Sequence, residues 1–495
     1  MESRRLLPVL LIALAALLVG ACGKAPLVPD APRGPAQWLR NVSAACTTST
    51  TDPSGVQVSY QFDWDDGAKS QWSQFMDGGV PFADTHSYAN KGSFAIKVRA
   101  KNSKKASGWS DPLDVNVILG EGAVAWSIGF TDPEDVEDSS DFTSNSFAIG
   151  PDNTAYIACD YGALIARRPS GSVAWKFMLP ELDQITAAPV VADDGTILIG
   201  CSNDFIYALN PNGSVKWADS VGSEVWATGA LGAEGTAYFQ TADSMVIALR
   251  SDGSTLWTFD SIGGNSAPVV GTDGAVYFVN QDGVVYAINP SDGTAKWTKG
   301  LGSNFQSVQA PAIDPSHNVL YVVSDAGLLQ SVDLTTGAAG NSATVGQDAS
   351  GAAVGPDGSV YICGGGALTK LNPDDFGELW KFTPPLNGVL STPALTVDGY
   401  VYVLAVPGKK RRLALPEDVD TLYAVNPDGT RRWACGLGEG LSDPDYPLSA
   451  PKIDASGFIY VGDGFRAWCV GGVSAPAQSV WPMFQHDAQN TGRAR

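Results

Sequence analysis

The chain has 495 residues, in which 52 acidic side chains outnumber 31 basic ones and give a formal net charge of −21. The export signal described next removes one acidic and two basic residues, which leaves about −22. A body this acidic repels phosphate backbones and anionic lipid, so nucleic acid is not expected as a partner. Attachment to a membrane would have to come from a lipid anchor instead of a basic face.

The N-terminus has the composition of an export signal. Arg4 and Arg5 precede an apolar run from Leu6 to Val19, and small residues follow before Cys22. This pattern predicts a signal peptide over residues 1–21, because the run is too short for a membrane span. A cysteine after small residues resembles a bacterial lipobox, in which Cys22 becomes lipidated; an incidental cysteine is the alternative. Gly23 in place of an aspartate resembles outer-membrane residence, so we expect a lipid anchor in the bacterial cell envelope.

Residues 22–119 precede the repeats and predict two segments. The first, residues 22–36, is rich in proline and is expected to be an extended tether. Residues 37–119 contain short alternating segments such as Phe94–Val98, which favour strands, and about 80 residues of such strands suit an immunoglobulin-like sandwich.

Two sequence elements give this region a family resemblance. Phe-Asp-Trp-Asp-Asp-Gly at 62–67 and His-x-Tyr from His86 resemble a PKD domain, and Gly-Trp-Ser-Asp-Pro at 108–112 resembles the last strand of fibronectin type III. Asp63, Asp65 and Asp66 are candidate calcium ligands, since clustered carboxylates suit a hard cation. The alternative, which we favour, is turn formation with solvated carboxylates.

A unit of about 40 residues recurs over residues 120–473. Each copy holds short apolar runs separated by Asp-Gly or Asn-Pro-x-Gly turns, which predicts a four-stranded sheet and hence one blade of a β-propeller. Most copies close on a tryptophan; the set is Trp126, Trp175, Trp217, Trp257, Trp297, Trp380 and Trp433. One further unit places Asn341 where the tryptophan belongs. We read these tryptophans as packing residues between blades.

The chain ends are expected to share one blade. Residues 449–470 supply three strands, and Ala123–Ile128, which contains Trp126, supplies the fourth. This pairing would close the ring and leave no open strand edge. The expectation is therefore an all-β chain with eight blades, or seven if the Asn341 unit is a loop.

The repeats resemble the PQQ-like, quinoprotein-type repeat family. That family includes periplasmic dehydrogenases that carry pyrroloquinoline quinone with calcium, and scaffolds without chemistry such as the propeller lipoprotein of the β-barrel assembly machinery. The chain lacks the adjacent cysteine pair and the long inter-blade insertions that the enzymes use. We therefore expect no catalytic residues, no metal and no cofactor; a quinoprotein oxidoreductase is the alternative, and carbohydrate or cell-wall binding is a second one.

Three features remain. Residues 474–495 are expected to clasp the propeller, although His486 and Asp487 could form a catalytic dyad. Cys46, Cys159, Cys201, Cys363, Cys435 and Cys469 are interpreted as small core residues, with no pairing assigned.

Two irregular loops predict where a partner binds. The loop at residues 130–141 is acidic and includes Asp132, Glu134 and Asp135, while residues 405–421 contain the basic cluster Lys409, Lys410, Arg411 and Arg412. We expect both on one rim, where they would dock an envelope protein; two solvated loops are the alternative.

Overall fold

A computed structural model describes residues 24–34, 37–40, 44–88, 92–118, 120–128, 142–159, 162–180, 183–261, 266–305, 309–385, 388–407, 419–439, 449–462, 466–472, 474–477, 483, 485–487 and 490–494. The chain divides into two compact units, Met1–Glu121 and Gly122–Arg495. Among the described residues, no helix is both long and apolar enough to span a membrane.

The first unit contains two sheets. Its strands are β1 (Gln37–Leu39), β2 (Ala44–Thr48), β3 (Ser59–Asp63), β4 (Phe82–His86), β5 (Gly92–Lys101) and β6 (Leu113–Ile118). One sheet has the order β1-β6-β5-β3, with β1 parallel to β6, and the other pairs β2 with β4. Both sheets contribute to a single core that includes Trp38, Cys46 and Phe62. The alternation in β5 buries Ile96 and Val98, as the sequence pattern indicated.

Residues 24–34, which belong to the segment expected to be an extended tether, are hydrogen-bonded to the first unit. They run beside β2, where backbone hydrogen bonds join Leu27 to Thr51, Asp30 to Ser49 and Arg33 to Thr47. The prolines of this segment are buried at positions 26, 29 and 32. Proline tolerates an edge position because it lacks the N–H that a central strand must donate. The segment therefore belongs to the first unit.

The second unit contains eight successive antiparallel sheets within the described residues, numbered here 1 to 8. Sheets 1 to 4 consist of β8 (Phe142–Ile149), β9 (Ala155–Cys159), β10 (Ala163–Arg167), β11 (Val173–Met178); β12 (Val190–Val191), β13 (Ile197–Gly200), β14 (Phe205–Leu209), β15 (Val215–Ser220); β16 (Ala230–Leu231), β17 (Ala237–Gln240), β18 (Met245–Leu249), β19 (Thr255–Asp260); and β20 (Val269–Val270), β21 (Val276–Val279), β22 (Val284–Ile288), β23 (Ala295–Gly300).

Sheets 5 to 8 follow the same plan, with one extra strand in sheet 7. They consist of β24 (Ala312–Asp314), β25 (Val319–Val323), β26 (Leu328–Asp333), β27 (Ala339–Thr344); β28 (Ala353–Val354), β29 (Val360–Gly364), β30 (Ala367–Leu371), β31 (Glu378–Phe382); β32 (Gly388–Leu390), β33 (Ala394–Leu395), β34 (Val401–Pro407), β35 (Val419–Val425), β36 (Arg431–Glu439); and β37 (Lys452–Ile453), β38 (Phe458–Gly462), β39 (Ala467–Gly471) with β7 (Val124–Ile128). Two short 3-10 turns lie at Ala233–Gly235 and Ser303–Phe305.

Sheet 8 joins the two ends of the repeat region. Strand β7 pairs antiparallel with β39, and Trp126 lies opposite Cys469. The innermost strands of sheet 8 in turn contact β8 of sheet 1. Each second strand is almost wholly buried, because both of its faces are covered by neighbouring sheets. This cyclic arrangement of small twisted sheets is that of a β-propeller.

Candidate interaction surface and the seams between sheets

Five of the predicted tryptophans pack in the same manner at a seam, which is the contact between one sheet and the next. Each indole Nε1 donates to a backbone carbonyl in the outer turn of the next sheet at 2.8–3.0 Å; the pairs are Trp175 with Pro211, Trp217 with Ser251, Trp257 with Pro290, Trp297 with Leu334, and Trp380 with Pro427. The ring also covers a glycine of that turn, so that a Cβ on Gly213 would lie 2.6 Å from the ring of Trp175. These indoles therefore hold sheets together and use their N–H groups in doing so.

The two tryptophans beside sheet 8 differ from the other five. Trp433 covers Gly122 and Trp126 covers Gly171, yet both Nε1 atoms are buried without a hydrogen-bond partner among the described residues. Trp433 faces an outer turn that is not continuous, because Gly122 and Gly471, which hydrogen-bond to each other, come from opposite ends of the repeat region. Closure of the ring thus leaves the adjoining seams with fewer hydrogen bonds.

The seam between sheets 5 and 6 uses an exchanged pair of residues. Asn341 stands where the tryptophan is expected and still donates from Nδ2 to the carbonyl of Asp374 in the next sheet. In that turn, Phe376 has φ +57° and occupies the position that glycine holds at the other seams. Its buried ring lies 6.0 Å from Tyr321. In six other sheets the equivalent partner of the tyrosine is the sheet's own tryptophan, at 5.6–5.9 Å.

The predicted rim residues lie outside the described residues. These are Asp132, Glu134 and Asp135 in the acidic loop, and Lys409, Lys410, Arg411 and Arg412 in the basic one. Cys22 and the whole of residues 1–21 lie outside them as well.

The strands that flank the two loops are described. Strand β7 ends at Ile128, opposite the first residue of β39, and β8 begins at Phe142, opposite the last residue of β9. Strands β34 and β35 end and begin at residues 407 and 419. All of these ends lie at the edge where second and third strands connect. The strands flanking the two loops thus end at the same edge of sheets 8, 1 and 7.

Sheet 7 is longer than its neighbours at this edge. Strands β34 and β35 have seven residues each and β36 has nine, whereas the corresponding strands of sheet 2 have four, five and six. The added β32 pairs with the end of β34, with Gly388 opposite Pro407. The three extra residues of β36 extend the sheet by roughly 10 Å at this edge.

The described part of the C-terminal segment is bonded to several sheets. The side chain of Asn490 donates to the carbonyls of Phe147 and Pro189 at 2.6 and 2.9 Å, in sheets 1 and 2. The carbonyls of Thr491 and Gly492 accept from the first strands of sheets 3 and 4, each at 2.7 Å, and Ala477 donates to sheet 7. Since these bonds reach sheets far apart in sequence, the segment ties the inner strands together.

The His486–Asp487 pair belongs to this segment. His486 Nδ1 lies 3.2 Å from Asp487, which also accepts from the backbone and hydroxyl of Thr491. Burial disfavours the charged form of Asp487, but the hydrogen bonds from His486 and Thr491 prevail and hold the pKa of this carboxyl below its usual range. Burial likewise lowers the pKa of the nearby Lys452 to about 7, against the attraction of Asp487. The Asp487 carboxylate is thus used in the fold of the segment.

The candidate calcium ligands are bonded to neighbouring groups, and the cysteine thiols are buried. Asp63 pairs with Lys69 at 3.0 Å, Asp66 with His86 at 2.8 Å, and Asp65 accepts from the backbone of Ala95. Over the described ranges no group of three His, Cys, Asp or Glu side chains could hold a metal ion. The six described cysteines are buried, and burial raises the pKa of the Cys46 thiol to about 11. Such thiols are poor nucleophiles.

Comparison with known proteins supports the repeat assignment. Residues 160–362 match a family model, PQQ_2, described as outer membrane protein assembly factor BamB. The resemblance to PQQ-like repeat propellers is confirmed. No curated protein sequence matches the chain significantly.

Solved structures show the same fold at low sequence identity. BamB from Moraxella catarrhalis has a TM-score of 0.53 and 18% identity, covering 70% of this chain and 99% of that one. Sqt1 from Saccharomyces cerevisiae has a TM-score of 0.53 and the computationally designed Ika8 protein 0.52; each is 13% identical and covers 67% of this chain and 96% of its own. At these identities the likeness establishes the propeller fold alone.

A further comparison concerns a smaller part of the chain. The PKD domain of an M14-like peptidase from a Thermoplasmatales archaeon is 24% identical and covers 20% of this chain and 100% of that domain. The TM-score is 0.18, so no conclusion about fold is drawn from it.

Proposed function

We propose that this protein is a non-catalytic, lipid-anchored scaffold that binds a protein partner in the bacterial cell envelope. The proposed architecture is an eight-bladed propeller, one blade for each sheet, after an immunoglobulin-like domain. Lipid on Cys22 would hold the chain to the outer membrane. The match of residues 160–362 to an outer membrane assembly factor supports an envelope role.

The lengthened sheet 7 carries the proposal. Its strands flank the segment that contains Lys409–Arg412 in sequence, and the pairing of β35 with β36 extends, across a register shift, to Val419 opposite Glu439. Ordering the added backbone costs conformational entropy, which burial of Leu390, Val406 and Leu437 offsets in part. Functional residues concentrate on loops that a rigid scaffold positions, and a loop of four consecutive cations suits an acidic partner surface.

The charge balance favours docking at this point. The body carries about −22, so an acidic partner is repelled over most of the surface. The strands that flank the basic cluster end at the same edge as the strands that flank Asp132, Glu134 and Asp135, so charges of both signs would orient such a partner. The association should therefore weaken as salt increases.

The test replaces Lys409, Lys410, Arg411 and Arg412 by Ser in the full-length, membrane-expressed protein and identifies co-purified envelope proteins. Loss of a partner is expected. A control variant that replaces Lys296 and Lys299, which lie on β23 of sheet 4 and not on sheets 8, 1 and 7, should retain it. Retention of every partner by the four-residue variant would refute the docking role. A stoichiometric quinone absorbance after incubation with pyrroloquinoline quinone and calcium would instead favour an oxidoreductase.

A further inference from the structure

A cleft of about 380 Å³ opens between sheets 2 and 3. Leu198, Leu231 and Trp217 form its apolar lining. Glu234 and Arg493 contribute charged groups to its walls. Because Arg493 comes from the C-terminal segment, the cleft is complete only when that segment is seated.

The cleft exists where the repeat departs from its pattern. In sheets 2 and 7, a proline of the outer turn fills the space beside a glycine; a Cβ on Gly195 would lie 2.9 Å from Pro211, and one on Gly399 would lie 3.4 Å from Pro427. In sheet 3 the corresponding residue is Ser251, whose Cβ is 3.5 Å from the same point on Gly235. Pro290 of sheet 4 also lies 3.5 Å from the corresponding point on Gly274, but serine lacks the proline ring and therefore fills less of the space beside the apolar lining.

The charged side chains of the cleft differ in whether they form ion pairs. Lys216 pairs with Asp194 at 3.1 Å, and Arg493 pairs with Asp193 at 3.3 Å and donates to the carbonyl of Gly232. Both cations are therefore neutralised. Glu234 is exposed and makes no ion pair within the part of the chain that the structure describes.

The backbone at Glu234 adds to this evidence. Its φ is +59°, in the left-handed region that a residue with a Cβ enters at a cost of about 1 kcal/mol. The cleft thus combines an apolar lining, two neutralised cations and one carboxylate held at a strained position.

We propose that this cleft binds a basic side chain, lysine or arginine, of a partner polypeptide. The methylene stem would pack on Leu198, Leu231 and the indole of Trp217, and the cationic head would meet the carboxylate of Glu234. The acidic body attracts such a group and repels an anionic one. The polypeptide source rests on the proposed scaffold function, whereas binding of the side chain does not.

The test is calorimetric titration of the purified full-length chain with Nα-acetyl-arginine amide. A single anchored side chain is expected to bind with a Kd of about 1 mM. The citrulline analogue, which has nearly the same shape but no charge, should bind at least ~10-fold more weakly, as should the arginine probe to Glu234→Gln. Glu378→Gln, which removes an exposed carboxylate outside the cleft, should bind the arginine probe as the parent does.

A second variant separates cleft filling from loss of charge. Ser251→Pro restores the repeat proline, so it should abolish binding without lowering the thermal midpoint. Absence of binding to the parent, equal binding of citrulline, or unchanged binding to a folded Ser251→Pro protein would each overturn the proposal. If the probe binds but the intact chain captures no envelope protein, the cleft stands and the scaffold function fails.

Discussion

Replacing Asn341 by Trp together with Phe376 by Gly would give the seam between sheets 5 and 6 the residues found at the five tryptophan seams. At those seams a Cβ on the turn glycine would lie 2.6–2.8 Å from the neighbouring indole. Phe376 has such a Cβ, so Asn341→Trp alone would force two groups into one volume. Overpacking of this kind costs roughly 1–3 kcal/mol.

Phe376→Gly alone should also destabilise the protein. Removal of a buried phenyl ring costs roughly 3–5 kcal/mol, of which about 1 kcal/mol is recovered because glycine relieves the φ of +57°. Independent effects would therefore sum to roughly 3–7 kcal/mol. The double variant instead refills the space beside Tyr321 with an indole, and we expect its free energy of unfolding to lie within about 2 kcal/mol of the parent.

Urea unfolding of the parent, the two single variants and the double variant measures this coupling. Circular dichroism is the better signal, because the added tryptophan would change the fluorescence. The expected result is a favourable coupling energy of about 1 kcal/mol or more. A double variant that is as unstable as the sum of the single variants would refute the idea that the two residues replace each other across the seam.

Gly213→Ala should lower the free energy of unfolding by roughly 3 kcal/mol, because the added Cβ would lie 2.6 Å from Trp175. Gly222→Ala, at a similar φ of +81° with no atom within 4 Å, should lower it by about 1 kcal/mol. Thermal unfolding measures both. Asn490→Ala removes two hydrogen bonds to buried carbonyls and should lower the free energy of unfolding by roughly 2–4 kcal/mol in urea. The pKa of Lys452 is about 7 in the folded protein and lies below its value in the unfolded chain. Between about pH 7 and 10 the unfolded chain therefore binds more protons, and the free energy of unfolding of the parent rises with pH. Lys452→Met should make that free energy depend less on pH.

Each of these expectations has a clear contrary result. Equal losses for Gly213→Ala and Gly222→Ala would show that indole contact does not set the cost. An unchanged urea midpoint for Asn490→Ala would mean that its hydrogen bonds do not secure the segment. An unchanged pH slope for Lys452→Met would assign the proton uptake to other groups.

Sequence periodicity predicted the repeats well because turn residues recur at fixed offsets. The tryptophan spacing located the fourth strands, and the orphan strand around Trp126 was correctly paired with the segment that contains Cys469. Asn341 was recognised as the irregular position of its unit. These signals are local, and each repeat resembles the next, so one clear copy explains the others.

The remainder depended on contacts between residues that no short pattern connects. Phe376 could have been suspected, since its turn lacks the usual glycine, but only the structure places its ring beside Tyr321. The course of residues 24–34 along β2 was missed because proline content also fits a linker. The cleft beside Ser251 needed three distant segments, one of them the C-terminal segment that carries Arg493.

The union of β7 with β39 has a consequence for biogenesis. A chain emerging from the ribosome presents its first propeller strand some 340 residues before the partner of that strand has been made. Until then both edges of β7 are unpaired, and the incomplete chain is exposed to proteases and to pairing with other chains. A chain that terminates before β39 lacks the partner of β7, so it should be degraded instead of forming a partly working protein.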